Sequence, residues 1–225
     1  MPRVPVSGVW RVARPPAAIA NLTEGTTRTL IICDGNTCRS PTLQFLLFHL
    51  SNRLGRQDEF VSAGRASVAG NDDPMPVPGQ AVLEKAVEWL DKKLGYDPLC
   101  SHDPHLLNLL YLARTHRSRR LDDSRIRGPF DELIFIAAPR SNKPVELLRQ
   151  SRKDLDRLSV PLHGQWTLIR QGDGGFYALQ QARSNGVRNP DHDPAVINAY
   201  LKQAISLAGE ALNYYHFFLP GGRQI

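Results

Sequence analysis

Short apolar runs alternate along this chain with longer stretches that have helical periodicity. The run TLII at 29–32 is β-branched and apolar, as in a strand buried on both faces, and 42–54 is apolar at helical spacing. The same patterns predict further strands at 59–62, 132–138 and near 157–162, and further helices at 80–94, 144–150 and 194–214. Strands separated by helices favour an α/β fold in which a parallel sheet carries helices on both faces. Ligands then bind at the carboxyl ends of the strands.

Some parts of the chain do not follow this alternation. Residues 1–27 are rich in Pro, Ala, Arg and Thr and have no sustained periodicity, which indicates an N-terminal extension. Residues 28–219 are interpreted as one domain, because 225 residues that are 41% hydrophobic can bury a sizeable core, and 220–225 as a tail. Two stretches inside the domain, 96–128 and 164–188, are interpreted as insertions or long loops.

Composition narrows the classes of function. The formal charge of +6 favours anionic partners in a general way, but no zinc-finger spacing, RNP-like motif or recognition helix points to nucleic acid. No stretch approaches the roughly 20 apolar residues of a membrane span, and no apolar run at the N-terminus is typical of a secretory signal. Two of the three cysteines lie in one short motif, which indicates reactive chemistry in a reducing compartment. We therefore expect a cytoplasmic protein without nucleic-acid or membrane partners; the sequence does not indicate its oligomeric state.

The clearest chemistry is carried by the segment CDGNTCRSP at 33–41, between the first predicted strand and helix. In a tight loop at this position, backbone N–H groups and the helix N-terminus converge on an anion, and the same field favours a thiolate over a thiol. We expect Cys33 to be a nucleophile and Arg39, after five intervening residues, to bind two phosphoryl oxygens in a bidentate fork. Ser40 is expected to donate to the sulfur and to help it leave. A phosphate group fits such a site.

The residues between the nucleophile and the arginine are predicted to line the phosphate site. Gly35 is expected to permit the backbone turn, and Asn36 to hold the loop together by side-chain hydrogen bonds. Cys38 either forms a reversible disulfide with Cys33, which would protect the nucleophile from irreversible oxidation, or packs as a small buried side chain under the loop. The predicted substrate-binding residues are Asp34, Gly35, Asn36, Thr37 and Cys38.

These nine residues resemble the C-x-G-N-x-C-R-S-P signature of the low-molecular-weight protein tyrosine phosphatases at every fixed position. The sequence SAG at 62–64 is similar to the family's Ser-Ala-Gly after the second strand, 116–121 resembles its His-x-Ser-Arg stretch, and 131–136 resembles the entry to its third strand. The resemblance covers most of 28–213 apart from the two insertions. It implies a flavodoxin-like four-stranded parallel sheet and a phosphorylated protein as substrate, most simply one carrying phosphotyrosine. It also implies hydrolysis through a phosphocysteine intermediate, without a metal or cofactor.

The resemblance further implies a general acid, an Asp in an Asp-Pro loop just before the last helix, which protonates the leaving group and then activates water. The chain reads NPDHDP at 189–194, so the register is open. Asp193 keeps the family's Asp-Pro dipeptide, whereas Asp191 better keeps the family's spacing between the acid and the helix aromatic, here Tyr200. An alignment at the first proline, Pro190, would instead put Asn189 at the position of the acid. We favour Asp193 narrowly over Asp191. The alternative for both is that they only cap the helix.

Two residues of the motif leave the substrate class open. Asp34 stands at the mouth of the expected pocket, where the family usually has an uncharged residue, so its carboxylate should disfavour anionic substrates or recruit a cationic group. Thr37 is found in the family's phosphoarginine phosphatases where the tyrosine phosphatases often carry Ile. A protein arginine phosphatase is therefore one alternative function. A catalytically impaired phosphoprotein-binding module is another.

Overall fold

The strands that the structure describes form one parallel sheet, in which the strand order reverses direction beside the first strand. The computed structural model describes residues 26–65, 70, 72–137, 153, 156 and 166–216. The strands are β1 (Arg28–Cys33), β2 (Glu59–Gly64), β3 (Glu132–Ala137) and β4 (Trp166–Arg170). They lie in the order β2-β1-β3-β4, and every neighbouring pair is parallel. This α/β order is the flavodoxin-like one, in which ligands bind at the carboxyl ends of β1 and β3.

The helices follow the strands along the chain and pack mostly on one another. Among the described residues, the helices with defined ends are α1 (Arg39–Arg53), α2 (Val77–Leu94), α3 (Pro104–Thr115), α4 (Gly174–Ser184) and α5 (Pro194–His216), with a short 3₁₀ helix, Pro190–His192, just before α5. The last helix, α5, lies against α1, α2 and α4. No helix within the described ranges combines the length and the apolarity that a membrane span requires.

Two apolar clusters cover the two faces of the sheet. Ile31 points into the cluster that the five helices share, whereas Leu30 and Ile32 point into a cluster on the other face with Phe130 and Phe135. All three β1 side chains are 0% exposed, as predicted for a strand buried on both faces. Burial of each such side chain stabilises the fold by about 1.5–3 kcal/mol. The core thus fixes β1, and with it the start of the segment 33–41.

Most of the predicted elements are confirmed, with ends that differ by a few residues. The strands predicted at 29–32, 59–62 and 132–138 correspond to β1, β2 and β3, and the helices predicted at 42–54, 80–94 and 194–214 to α1, α2 and α5. The strand predicted near 157–162 and the helix predicted at 144–150 lie outside the described residues. The stretch 96–128 contains α3.

The interpretation of 164–188 as an insertion or long loop was wrong, because this stretch contains both β4 and α4. Three glycines at 172, 174 and 175 make a helix here difficult to predict, since glycine disfavours a helix by about 1 kcal/mol relative to alanine. The helix nevertheless forms, and at Gly175 the packing of α4 against α5 favours a glycine. A Cβ atom there would lie 2.7 Å from the ring of Tyr200, so the close approach of α4 to α5 requires a glycine.

Candidate active site

The segment between β1 and α1, here called the Cys33 loop (residues 33–39), is a tight turn at the carboxyl edge of the sheet. Cys33, the last residue of β1, is 2% exposed, and its Sγ lies 3.0 Å from Ser40 Oγ. The backbone N–H of Asn36 donates to the same sulfur at 3.3 Å. Because α1 begins at Arg39, the partial positive charge of its N-terminus lies beside the loop. The loop therefore supplies donors and positive charge where an anion would bind.

Asn36 holds this loop in shape through both ends of its amide. Its Nδ2 donates to Ser40 Oγ at 3.0 Å, and its Oδ1 accepts the backbone N–H of Arg119 at 2.8 Å. The backbone carbonyl of Asn36 lies 2.8 Å from Nε2 of His116, which must carry the proton because a carbonyl only accepts. Burial lowers the pKa of His116 and so favours its neutral form. The 116–119 segment thus braces the loop from outside.

The loop bends at each residue from 34 to 38, and the positive φ within it belongs to Asn36. Asn36 has a φ of 53°, in the left-handed region that asparagine tolerates better than most residues. Gly35 lies within the same bend. A Cβ atom at Gly35 would lie 3.5 Å from Thr37 Oγ1, which is an ordinary contact.

The guanidinium of Arg39 is the charge centre of the site. It is 3% exposed and donates through Nη2 to Asp34 Oδ2 at 2.9 Å and through Nη1 to the carbonyl of Gln171 at 3.2 Å. Its Nε lies 3.5 Å from Asp173 Oδ2. Asp34 also pairs through Oδ1 with Nε of Arg65 at 2.8 Å. Asp34 thus joins two guanidinium groups, in line with the prediction that a carboxylate here recruits cationic groups.

Asp173 is a residue of this site that the sequence interpretation missed. It lies between β4 and α4, as the residue just before that helix, and its side chain is 21% exposed. Burial raises the pKa of the carboxyl above its ordinary range, although the charge of Arg39 opposes the shift. One signal could have revealed it: an Asp shortly after the apolar run WTLI at 166–169 lies at the carboxyl end of a strand, where parallel sheets collect functional residues.

The two aspartates predicted as acids lie around the N-terminus of α5. Oδ1 of Asp193 accepts the backbone N–H groups of Ala195 at 2.8 Å and Val196 at 3.3 Å, which is the geometry of a helix cap. Asp191 lies 3.4 Å from the guanidinium of Arg183. Within the described residues, neither carboxylate makes a hydrogen bond or ion pair with the Cys33 loop.

Cys38 connects the loop to the two C-terminal helices. It is 4% exposed and a free thiol, as Cys33 is, and burial raises its pKa well above the ordinary range. Its Sγ accepts a hydrogen bond from Nε2 of Gln203 at 3.1 Å, and Oε1 of Gln203 accepts one from the backbone N–H of Gly175 at 3.0 Å. A displacement of α4 would therefore be transmitted to the Cys33 loop through the side chain of Gln203.

No group of His, Cys, Asp and Glu side chains suited to a metal ion occurs in the part of the chain that the structure describes. The site is instead built from a thiol, a hydroxyl, backbone amides, guanidinium groups and carboxylates. This set can hold a phosphoryl group, attack it and move a proton.

No protein-family model matches this sequence, and no curated protein matches it either. Among solved structures, a low molecular weight protein tyrosine phosphatase from T. tengcongensis has 22% identity and a TM-score of 0.44, over 84% of this chain and 99% of that one. The YwlE arginine phosphatase from Geobacillus stearothermophilus has 20% identity and a TM-score of 0.42, over 88% and 99%. DARP, a Drosophila arginine phosphatase, has 16% identity and a TM-score of 0.37, over 83% and 96%. These are similarities of fold.

Proposed function

We propose that the chain is a phosphatase that hydrolyses a protein phosphomonoester, with phosphotyrosine as the first substrate class. The observation that carries the proposal is the environment of the Cys33 sulfur. Ser40 Oγ at 3.0 Å and the N–H of Asn36 at 3.3 Å surround it, beside the N-terminus of a helix that begins with a buried arginine. A thiol that only filled the core would need no polar neighbours of this kind.

In the first chemical step, the Cys33 thiolate attacks phosphorus, and the bond from phosphorus to the leaving oxygen breaks. Arg39 and the loop N–H groups hold the equatorial oxygens, where negative charge is spread in the transition state. Water then attacks the phosphocysteine, and the S–P bond breaks to release phosphate. Ser40 stabilises the sulfur anion that leaves in this second step.

We propose Asp173 as the group that carries the proton in both steps. Its carboxylate is 3.5 Å from the arginine that would hold the phosphate, and burial raises its pKa, which favours the protonated acid needed for the first step. It would protonate the leaving oxygen and then take a proton from the attacking water. Asp193 and Asp191 remain sequence-based predictions for the same role.

The test is a burst experiment with para-nitrophenyl phosphate, followed by mass spectrometry of the rapidly quenched protein. We expect one equivalent of nitrophenolate in the burst, a phosphate adduct on Cys33, and loss of both in Cys33→Ser. Arg39→Lys keeps the charge without the fork and should weaken vanadate binding. A wild type that binds vanadate but gives neither burst nor turnover would leave the phosphoprotein-binding module as the function.

A protein arginine phosphatase is the second candidate, and Asp34 favours it. This carboxylate is 31% exposed at the mouth of the site and already binds two guanidinium groups, so it could also bind the guanidinium of a phosphoarginine. The same negative charge works against a phosphotyrosine dianion. In Asp34→Asn, kcat/KM should rise for a phosphotyrosine peptide under the first candidate and fall for a phosphoarginine peptide under the second.

The proposed setting is the cytoplasm or another reducing compartment. All three cysteines are free thiols, and a nucleophilic thiol must stay reduced to react. The proposed catalytic domain is 28–219.

A further inference from the structure

The outer edge of β2 borders a groove that the proposed reaction does not use. β2 is the outermost strand on its side of the described sheet. At its end, the N–H and C=O of Gly64 point away from β1 and bond to Arg119 and Leu121, at 2.7 and 2.8 Å. Backbone groups of alternate residues point to the same edge, so those of Ser62 and Phe60 also point outward. Nε2 of Gln44, which donates to the carbonyl of Phe60 at 2.8 Å, agrees with this direction.

The groove has a volume of about 510 Å³ and lies between this edge, α1 and the end of α3. Apolar side chains form much of its wall: Phe45, Phe48, Phe60 and Leu112. Leu112 is 37% exposed, whereas Phe45 and Phe60 are only 4% and 6% exposed. The groove therefore has an apolar part beside Leu112 and polar side chains elsewhere along its wall, with a strand edge as one side.

The charged side chains along the groove form ion pairs at one end, whereas two arginines at the other end form none with the described residues. Asp58 pairs with Arg56 at 2.6 Å, and Glu59 pairs with Arg28 at 2.9 Å. At the end next to the Cys33 loop, neither Arg117 nor Arg119 has a carboxylate within ion-pair distance in the described part of the chain.

Arg119 is the more constrained of these two cations. Its Nε is buried without a hydrogen-bond partner among the described residues, and its backbone N–H is fixed on Asn36 of the Cys33 loop at 2.8 Å. A buried donor without a partner costs about 1–3 kcal/mol, and the charge of the Arg119 guanidinium is not offset by a carboxylate of the described residues. This end of the groove is thus prepared for negative charge.

We propose that the groove binds an extended, acidic peptide segment of a partner protein. The segment would bond to the outward backbone groups of Ser62, since those of Gly64 and the carbonyl of Phe60 are already bonded within the chain. It would place an apolar side chain beside Leu112 and acidic side chains at Arg117 and Arg119. A single-stranded nucleic acid fits less well, because the buried rings of Phe45 and Phe60 offer no faces on which bases could stack.

The test measures binding directly, by fluorescence anisotropy of a labelled peptide with the full chain, so it does not depend on turnover. The probe alternates glutamate with valine over about eight residues, enough to pass the six residues of β2. Two peptides serve as controls, with glutamine or lysine in place of glutamate. We expect the glutamate peptide to bind most tightly and to weaken as salt rises.

Two pairs of variants locate the binding. Leu112→Glu puts a negative charge into the groove and should weaken binding at least about tenfold, whereas Leu107→Glu, on the same helix and 50% exposed outside the groove, should leave it unchanged. Arg117→Gln should weaken binding about threefold, and Arg114→Gln, an exposed neighbour outside the groove, should not.

The proposal is overturned if the lysine peptide binds as well as the glutamate peptide, or if the two members of each variant pair behave alike. Three further results also overturn it: no peptide binding at any salt concentration, tighter binding of a labelled oligonucleotide at the same residues, and a dimer that Leu112→Glu disrupts. None of these results bears on whether Cys33 turns over a phosphate ester.

Discussion

The two sides of the Arg39 guanidinium are built in different ways. On the side of the Cys33 loop, the amide of Asn36 is satisfied at both ends, and the sulfur has two polar neighbours. On the side of α4, Oδ1 of Asp173 and the hydroxyl of Tyr200 are buried without a hydrogen-bond partner among the described residues. The first side holds its thiol and its amide by hydrogen bonds, and the second carries a carboxylate oxygen and a hydroxyl that folding has left unpaired in the described part of the chain.

This difference suits the two roles that we propose. A nucleophile must be held at a fixed place, and a loop held by several hydrogen bonds resists displacement. A proton carrier must exchange partners during the reaction, so its environment should favour neither state strongly. Each unpaired buried polar group costs about 1–3 kcal/mol, a cost typical of sites shaped for function more than for stability.

The largest expected effect is on the acid side. Asp173→Asn removes the proposed proton carrier and should lower kcat for phenyl phosphate by about a hundred- to ten-thousand-fold. The loss should be smaller for para-nitrophenyl phosphate, whose leaving group needs less help from an acid. A residue that only oriented Arg39 would lower both rates equally.

Asp191→Asn and Asp193→Asn are the matched controls for this measurement. We expect each to change kcat by less than about tenfold, since neither carboxylate bonds to the Cys33 loop. If one of them gives the large, leaving-group-dependent loss and Asp173→Asn does not, the proton carrier is the one predicted from the sequence.

The second prediction concerns the loop side. Asn36→Ala removes both amide hydrogen bonds and forces an alanine into the left-handed region, so the free energy of unfolding should fall by roughly 3 kcal/mol. Asn36→Gly tolerates the same φ and should lose about 1 kcal/mol less. Urea unfolding measures both. Equal losses in the two variants would mean that the backbone conformation contributes nothing to the difference.

The sequence allowed the inner contacts of the Cys33 loop to be predicted because they are local, whereas the bond from Arg119 to Asn36 spans 83 residues. Cys33 and Ser40 are seven residues apart, and Asn36 and Ser40 four, so a strand, a turn and a helix bring them together. The pattern also located β1, α1 and α5, whose periodicity is strong. The position of the positive φ, at Asn36 and not at Gly35, could not be predicted, since the motif has both residues and either accepts a positive φ.

The acid side could not be predicted in this way because its contacts join distant parts of the chain. Arg39 bonds to Gln171 across 132 residues, and Gln203 bonds to Cys38 across 165. No local pattern indicates such pairs. The glycines at the start of α4, Gly174 and Gly175, also concealed the helix, although Gly175 is needed there for packing against Tyr200.

The third prediction tests that packing. Gly175→Ala would place a Cβ atom 2.7 Å from the ring of Tyr200, so α4 must shift, and the free energy of unfolding should fall by about 2 kcal/mol. Activity should fall as well, because Gly175 is linked to Cys38 through Gln203 and follows Asp173 by two residues. Gly174→Ala is the matched control. A Cβ atom there meets nothing within 4 Å, so stability should stay the same or rise by up to about 1 kcal/mol.

The smallest expected effect is on how stability depends on pH, and it separates Asp173 from a purely structural carboxylate. Burial raises the pKa of Asp173 in the folded state, so its contribution to stability is present below about pH 3.9 and is lost as the pH rises through the raised value. Asp58 is the opposite case. Burial opposes the shift, but bonds from Arg56, the N–H of Thr27 and Tyr215 lower its pKa, so its contribution is lost as the pH falls.

In urea unfolding between about pH 3 and 8, the stability of wild type relative to Asp173→Asn should therefore decrease with rising pH, whereas its stability relative to Asp58→Asn should increase. Parallel profiles for the two variants would show that Asp173 is an ordinary paired carboxylate, and would remove the difference between the two sides of Arg39.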